Sequence, residues 1–147
     1  MWTSEIDPFE QISEHFIIHD LIWLPQYGRL ADESDGLDAA IMANLEQLAF
    51  TMDDVWDFFN AKINVHCAYR PLKYNELVGG AKNSAHLTGE AMDFDVTGMS
   101  CDNARALILK LDRLNKWGTR MEQRPLSSWV HIDVRPVPPG GHRYFLP

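Results

Sequence analysis

Cysteine is scarce in this chain: only Cys67 and Cys101 occur among 147 residues, and they lie far apart. A disulfide framework is therefore not expected, and in a reducing compartment both should be free thiols. Positive charge is scarce as well, with 13 Lys and Arg against 21 Asp and Glu, for a net charge of −8. No basic stripe or run appears, which argues against a nucleic-acid partner and gives no attraction toward an anionic cell wall. No apolar run approaches the length of a membrane span. The opening Met1-Trp-Thr-Ser-Glu-Ile-Asp7 also lacks a basic segment leading into an apolar one, so no signal peptide is expected. Gly79-Gly80 is not followed by Gly-Lys-Ser/Thr, which removes a phosphate-loop reading. His15 and His19 lack the Glu of a His-Glu-x-x-His motif and read as surface or packing histidines. Internal repeats, low-complexity segments and interdomain linkers are absent too.

What is present is core material. Hydrophobic residues make up 46% of the chain and there are five tryptophans, a composition that argues against disorder. Residues 1–147 have the length of one domain, enough for a single core without staples. Ile41, Leu45, Leu48, Met52, Val55 and Phe59 recur at spacings of four and three, which predicts an amphipathic helix from about 38 to 60. Ala104, Leu107, Ile108, Leu111 and Leu114 mark the inner face of a second helix over 101 to 116, with Ser100 as N-cap and Gly118 as stop. Ile63, Val65 and Cys67 share an apolar strand face, which predicts a core position for Cys67. Helices interleaved with short strands predict an α+β domain with helices on one side of a small antiparallel sheet. The Pro/Gly-rich tail, residues 136–147, is expected to cap a cleft or to dock at the domain edge.

The chemistry concentrates in His86-Leu-Thr-Gly-Glu-Ala-Met-Asp93 and Trp129-Val-His131. Two imidazoles and a carboxylate suit a catalytic zinc, because three protein ligands leave a fourth position for water. Gly89 permits a sharp bend after His86. Beyond it Ala91, Asp93 and Asp95 alternate with Met92, Phe94 and Val96, so a strand with an apolar back carries Asp93 on its front. The second segment repeats that design: Val130, Ile132 and Val134 form an apolar face and leave Trp129, His131, Asp133 and Arg135 on the other. Two such strands predict a sheet whose open face is the site. Either histidine alone would read as an ordinary surface or core residue; the matched strands favour a common site.

Ser84-x-His86-x-x-Gly89-x-Ala91-x-Asp93 and Trp129-Val-His131-Ile-Asp133 resemble the zinc D-Ala-D-Ala carboxypeptidase family. That family includes the VanX-like dipeptidases and the phage L-alanyl-D-glutamate endopeptidases, and is distantly related to the zinc domain of hedgehog proteins. Tyr69-Arg70-Pro71-x-x-Tyr74-Asn75-x-x-Val78-Gly79-Gly80 is similar to the segment preceding the first motif in many members, so the resemblance covers about residues 37 to 135. It implies a hedgehog-like zinc fold with one Zn2+ per chain held by His86, Asp93 and His131. It further implies that Arg70 holds a substrate carboxylate or carbonyl, and that Ser84 and Trp129 sit on the substrate side of the site.

One position departs from the family. Many members place a Glu or Asp three residues before the last His as general base, and here that position is Ser128. Glu122 is the best substitute. Thr119-Arg-Met-Glu122 reads as a short strand and Gln123 to Ser128 as a turn; pairing residue 122 opposite 129 would put Glu122 on the face of His131. Asp133 and Asp95 are lesser candidates for base or supporting roles. The expected function is a zinc metallopeptidase that hydrolyses a peptide bond of bacterial peptidoglycan stem peptides, as carboxypeptidase or endopeptidase. It is expected to act as a monomer, without nucleic-acid or membrane partners. Cytoplasmic synthesis without a signal fits release to the wall in the manner of a phage endolysin, or carriage in a virion. The alternative is a non-catalytic zinc-binding structural or interaction module of the same fold. Ser128 favours that alternative, and Glu122 on the loaded face opposes it.

Overall fold

The computed structural model describes residues 2–147. A short helix α1 (Ile18–Ile22) and a hairpin of β1 (Trp23–Leu24) and β2 (Arg29–Leu30) lead into the long helix α2 (Ala39–Phe59). After it come β3 (Ile63–Cys67), α3 (Leu72–Leu77), a 3-10 turn (Ala85–Thr88), β4 (Ala91–Val96), α4 (Cys101–Lys110) and α5 (Arg113–Trp117). The chain ends with β5 (Arg120–Glu122), β6 (Val130–Asp133) and β7 (Tyr144–Phe145). Five strands form one sheet in the order β3-β4-β6-β5-β7. The architecture is α+β, as expected, and neighbouring strands run antiparallel except at one edge. There the Pro/Gly-rich tail returns as β7 and pairs parallel to β5, with Met121 opposite Tyr144 and Glu122 opposite Phe145.

Helix α2 lies within one residue of its predicted limits at each end. Asp38 caps it by accepting the Ile41 amide at 2.8 Å, and Asn60 ends it in the left-handed region at φ 47°. Leu45, Leu48, Met52 and Val55 are fully buried against the apolar backs of the strands, where Met92, Phe94, Met121, Val130 and Ile132 meet them in one core. Burying each such side chain stabilises the fold by roughly 1.5–3 kcal/mol. Stability is thus drawn from the back of the sheet, and the front is left for polar groups.

The second predicted helix is broken. Ser100 caps α4 as expected, accepting the Asn103 amide at 3.1 Å, but Asp112 adopts a left-handed conformation at φ 51° and divides 101 to 116 into α4 and α5. A continuous helix would place Leu114 roughly 120° around the axis from Ile108, off the buried face. The break instead buries Leu114 and leaves Leu111 exposed. Gly118 then closes α5 at φ 70°. The other correction concerns Cys67. A β-bulge at His66 shifts the alternation of β3, so Ile63 and Val65 face Val96 and Phe94 while Cys67 falls opposite Asp93. The thiol therefore sits on the polar front of the sheet and not in the core. Among the described residues no helix is long and apolar enough to cross a membrane.

Candidate metal centre

His86 is positioned by a tight local device. The Ser84 hydroxyl accepts the His86 amide at 3.2 Å and starts the 3-10 turn; Gly89 ends it at φ 74°. A Cβ on Gly89 would lie 3.0 Å from Leu45 Cγ and 3.1 Å from the Ile41 carbonyl, so glycine serves both the turn and its close seat on α2. The ring is almost fully buried, and Nδ1 donates to the Ala68 carbonyl at 2.7 Å. In the neutral ring that bond leaves a bare lone pair on Nε2, which has no hydrogen-bond partner among the described residues and lies 3.1 Å from Asp93 Oδ1. Burial holds the His86 pKa below its usual value, so the lone pair is kept. A buried acceptor facing a carboxylate is unfavourable unless a cation stands between them.

The sheet brings the other two groups to that point. Asp93 on β4 pairs directly with His131 on β6, and directly opposed residues share a face. Asp93 Oδ1 accepts from His131 Nδ1 at 2.9 Å. Ligand atoms of His86, Asp93 and His131 all lie within 4.8 Å of one another. Donors about 2.0–2.1 Å from a tetrahedral zinc are separated by roughly 3.3 Å, close to the 3.1 and 2.9 Å between Asp93 Oδ1 and the facing nitrogens of His86 and His131. Donor set, spacing and orphaned Nε2 therefore all fit a zinc ion. Burial would raise the Asp93 carboxyl, but the two imidazoles hold it well below the usual carboxylate range. Burial would lower His131, but bonds to Asp133 and Asp93 outweigh it and push the ring up to about 9. A cation held there would take the place of a proton between that ring and Asp93.

Behind this group stands a second layer. His131 Nε2 donates to Asp133 Oδ2 at 3.2 Å, and Arg120 clamps both oxygens of Asp133 at 2.7 and 3.0 Å. A carboxylate on the far nitrogen fixes the tautomer and ring plane of a ligating histidine. Asp133→Asn should therefore weaken zinc binding by about 10–100-fold without unfolding the protein. Competition with a chromophoric chelator, beside circular dichroism of the same samples, checks this; unaltered affinity would remove Asp133 from the support of the site.

Residues 27–133 match the profile of the family described as Peptidase M15, a span that contains all three candidate ligands. The chain belongs to the Peptidase M15 family. It is also 30% identical over 99 residues to the probable peptidoglycan L,D-endopeptidase MepK of Haemophilus influenzae, a match covering 64% of this chain and 50% of that protein. The chain thus spans about half the length of that curated relative. No solved structure matches significantly. Members of the M15 family are metallopeptidases, peptide-bond hydrolases that usually depend on zinc.

In this M15 chain the candidate metal group sits in a cleft of about 670 Å³ whose walls include Arg70, Ser84, Glu122, Trp129 and Phe145. Glu122 reaches the site by a different pairing from the one predicted. Arg120 lies opposite Asp133 and Met121 opposite Ile132, which brings Glu122 level with His131, two residues along from the expected partner at 129. The shift is even, so Glu122 keeps the expected face, with Oε1 3.9 Å from His131 Nε2. Ser128 is exposed and does not line the cleft. Arg70 donates to Asp93 Oδ2 at 3.2 Å and to Asn75 Oδ1 at 3.0 Å, so both its terminal nitrogens are engaged. Gly80 makes that arrangement possible, since a Cβ there would lie 2.0 Å from Asn75 Oδ1 and 2.6 Å from Arg70 Nη1. Asp95 is turned to His66 at 2.6 Å and Asn64 at 2.9 Å, away from the metal group. Burial pushes the Cys67 thiol up to about 11, which keeps it protonated and a poor competitor for the metal.

Sequence reasoning missed Arg120, Arg124 and Phe145. Arg120 was within reach of the alternation, because it shares a strand face with Glu122. Phe145 enters only through the parallel return of β7, which sets it edge-on to the His131 ring at 6.3 Å and under Arg120 at 4.5 Å. No local signal announced either that return or the position of Arg124 in the following loop.

Proposed function

We propose that this chain is a zinc-dependent peptidase that hydrolyses a peptide bond in bacterial peptidoglycan stem peptides. The observation that carries the reading is the convergence of His86, Asp93 and His131 in a cleft, with an unpartnered buried Nε2. The M15 membership supports a peptidase, and the name of the peptidoglycan endopeptidase above supports the substrate class and favours an internal bond over removal of a terminal residue. One chain supplies every proposed group, which fits a monomer with one zinc.

His86 Nε2, Asp93 Oδ1 and His131 Nδ1 would hold the ion. When bound there, zinc would lower the pKa of a water to about 7 and polarise the substrate carbonyl. Glu122 would accept the proton released as the peptide bond is attacked, and return it to the departing amine. Of the acids lining the cleft, Asp93 is spent on the imidazoles and Asp133 is held through both oxygens by Arg120, whereas Glu122 bonds Arg124 through Oε2 alone and keeps Oε1 for proton transfer. Arg70 would act mainly through Asp93, holding its second oxygen so that the first points at the metal. Ser84 would fix the turn that carries His86, and Trp129 would offer an apolar wall to the substrate.

Digestion of purified peptidoglycan and synthetic stem peptides by zinc-loaded protein, read by mass spectrometry against a chelated control, tests the reading. Cleavage that vanishes with the metal is the expected result, and product masses name the bond. One zinc per chain without cleavage of any substrate would replace the peptidase by a non-catalytic zinc module.

A further inference from the structure

We infer that Arg124 recognises a free carboxylate on the substrate and so makes the cleft selective for an acidic peptide unit. The inference rests on the peptidase reading above for the identity of the ligand. On a protein of net charge −8, the cleft is lined by Arg70, Arg120, Arg124 and Arg135 and by no lysine. Guanidinium forks rather than ammonium points suit planar recognition of carboxylates.

Three of the four are consumed by the fold. Arg70 holds Asp93 and Asn75, Arg120 clamps Asp133, and Arg135 donates to the Asn83 and Ser84 carbonyls, Thr88 and Glu90. Arg124 differs: its Nε bonds Glu122, while its two terminal nitrogens form no hydrogen bond among the described residues. It is also the most open of the set, with its side chain 36% exposed against 14% for Arg70, 15% for Arg120 and 27% for Arg135. The guanidinium lies over the Trp129 ring at 5.5 Å, within cation–π range. Nε is anchored on Glu122, the indole lies nearby, and the two terminal nitrogens remain as a bidentate fork for the cleft. A substrate carboxylate placed there would sit beside the proposed base and the metal group.

The test uses the full zinc-loaded chain and two synthetic stem peptides that differ only in a free carboxylate or its primary amide. Calorimetric titration should show the free acid bound at least ~10-fold more tightly by the unaltered protein, the range expected for charge-assisted hydrogen bonds. Arg124→Gln should bind both peptides alike, at the affinity of the amide, and Arg124→Lys should keep only part of the preference. A merely structural role would weaken both peptides together and leave their ratio intact. Equal binding of the two peptides by the unaltered protein, no binding of either, or a preference that survives in both variants overturns the assignment. The peptidase reading is judged separately by turnover: peptides bound with the expected selectivity but never cut would sink that reading and leave Arg124 in place.

Discussion

Zinc should leave the protein when His86 is replaced by alanine. Nε2 is the one donor of the group with no other partner, so its removal leaves Asp93 and His131 as an incomplete pair. The loss should exceed the ~10–100-fold typical of supporting groups, because a ligand is deleted and not merely its orientation. Metal content after dialysis, measured by mass spectrometry, should fall from one ion per chain to nearly none, and hydrolysis should fall with it. Some stability should go too: the ring is buried, and its Nδ1 satisfies the Ala68 carbonyl, which would be left without a donor at a cost of about 1–3 kcal/mol. Asp93→Ala should empty the site in the same way, and in addition would strip Arg70 and His131 of their shared partner. Undiminished zinc in either variant would take that residue out of the ligand set.

Glu122→Gln should separate metal from chemistry. The substitution keeps shape and removes only the capacity to take a proton, so zinc should stay bound while kcat falls by ~10²–10⁴-fold. The physical case is one of elimination. Ser128 is exposed to solvent, Asp95 is tied to His66, and Asp133 is held on both oxygens by Arg120. Glu122 is engaged by Arg124 through Oε2 only, so Oε1, partly buried on the front of the sheet and 3.9 Å from His131, remains for the proton. Single-turnover assays with zinc-saturated protein would isolate the chemical step. Unchanged turnover would move the proton transfer to another group and make Glu122 an anchor for Arg124 alone.

How much of this could be read in advance depended on how local each feature is. The limits of α2 and its buried stripe follow from a 3.6-residue period and from Asp38 and Asn60 at its ends, all written within a short segment. The faces of β4 and β6 follow from a period of two, which is why Asp93 and His131 could be placed on one polar surface before their pairing was known. The same rule misplaced Cys67, because one extra residue in β3 inverts every side chain beyond it, and a bulge leaves no mark in the alternation itself. The helix break at Asp112 escaped for a related reason: its cause is the need to bury Leu114, which lies in tertiary packing and not in the propensity of the segment.

The amino-acid sequence by itself determined the two long-period patterns, the polar front of the sheet and the residues that could serve a metal, since these depend only on side-chain chemistry and short spacings. The tertiary structure alone decided the register that sets Glu122 beside His131, the clamp of Arg120 on Asp133, the return of β7 that lays Phe145 over the site, and the open fork of Arg124. Each of those joins segments whose relative position is fixed by loop geometry and by the shape of the shared core, and no local rule encodes such distances.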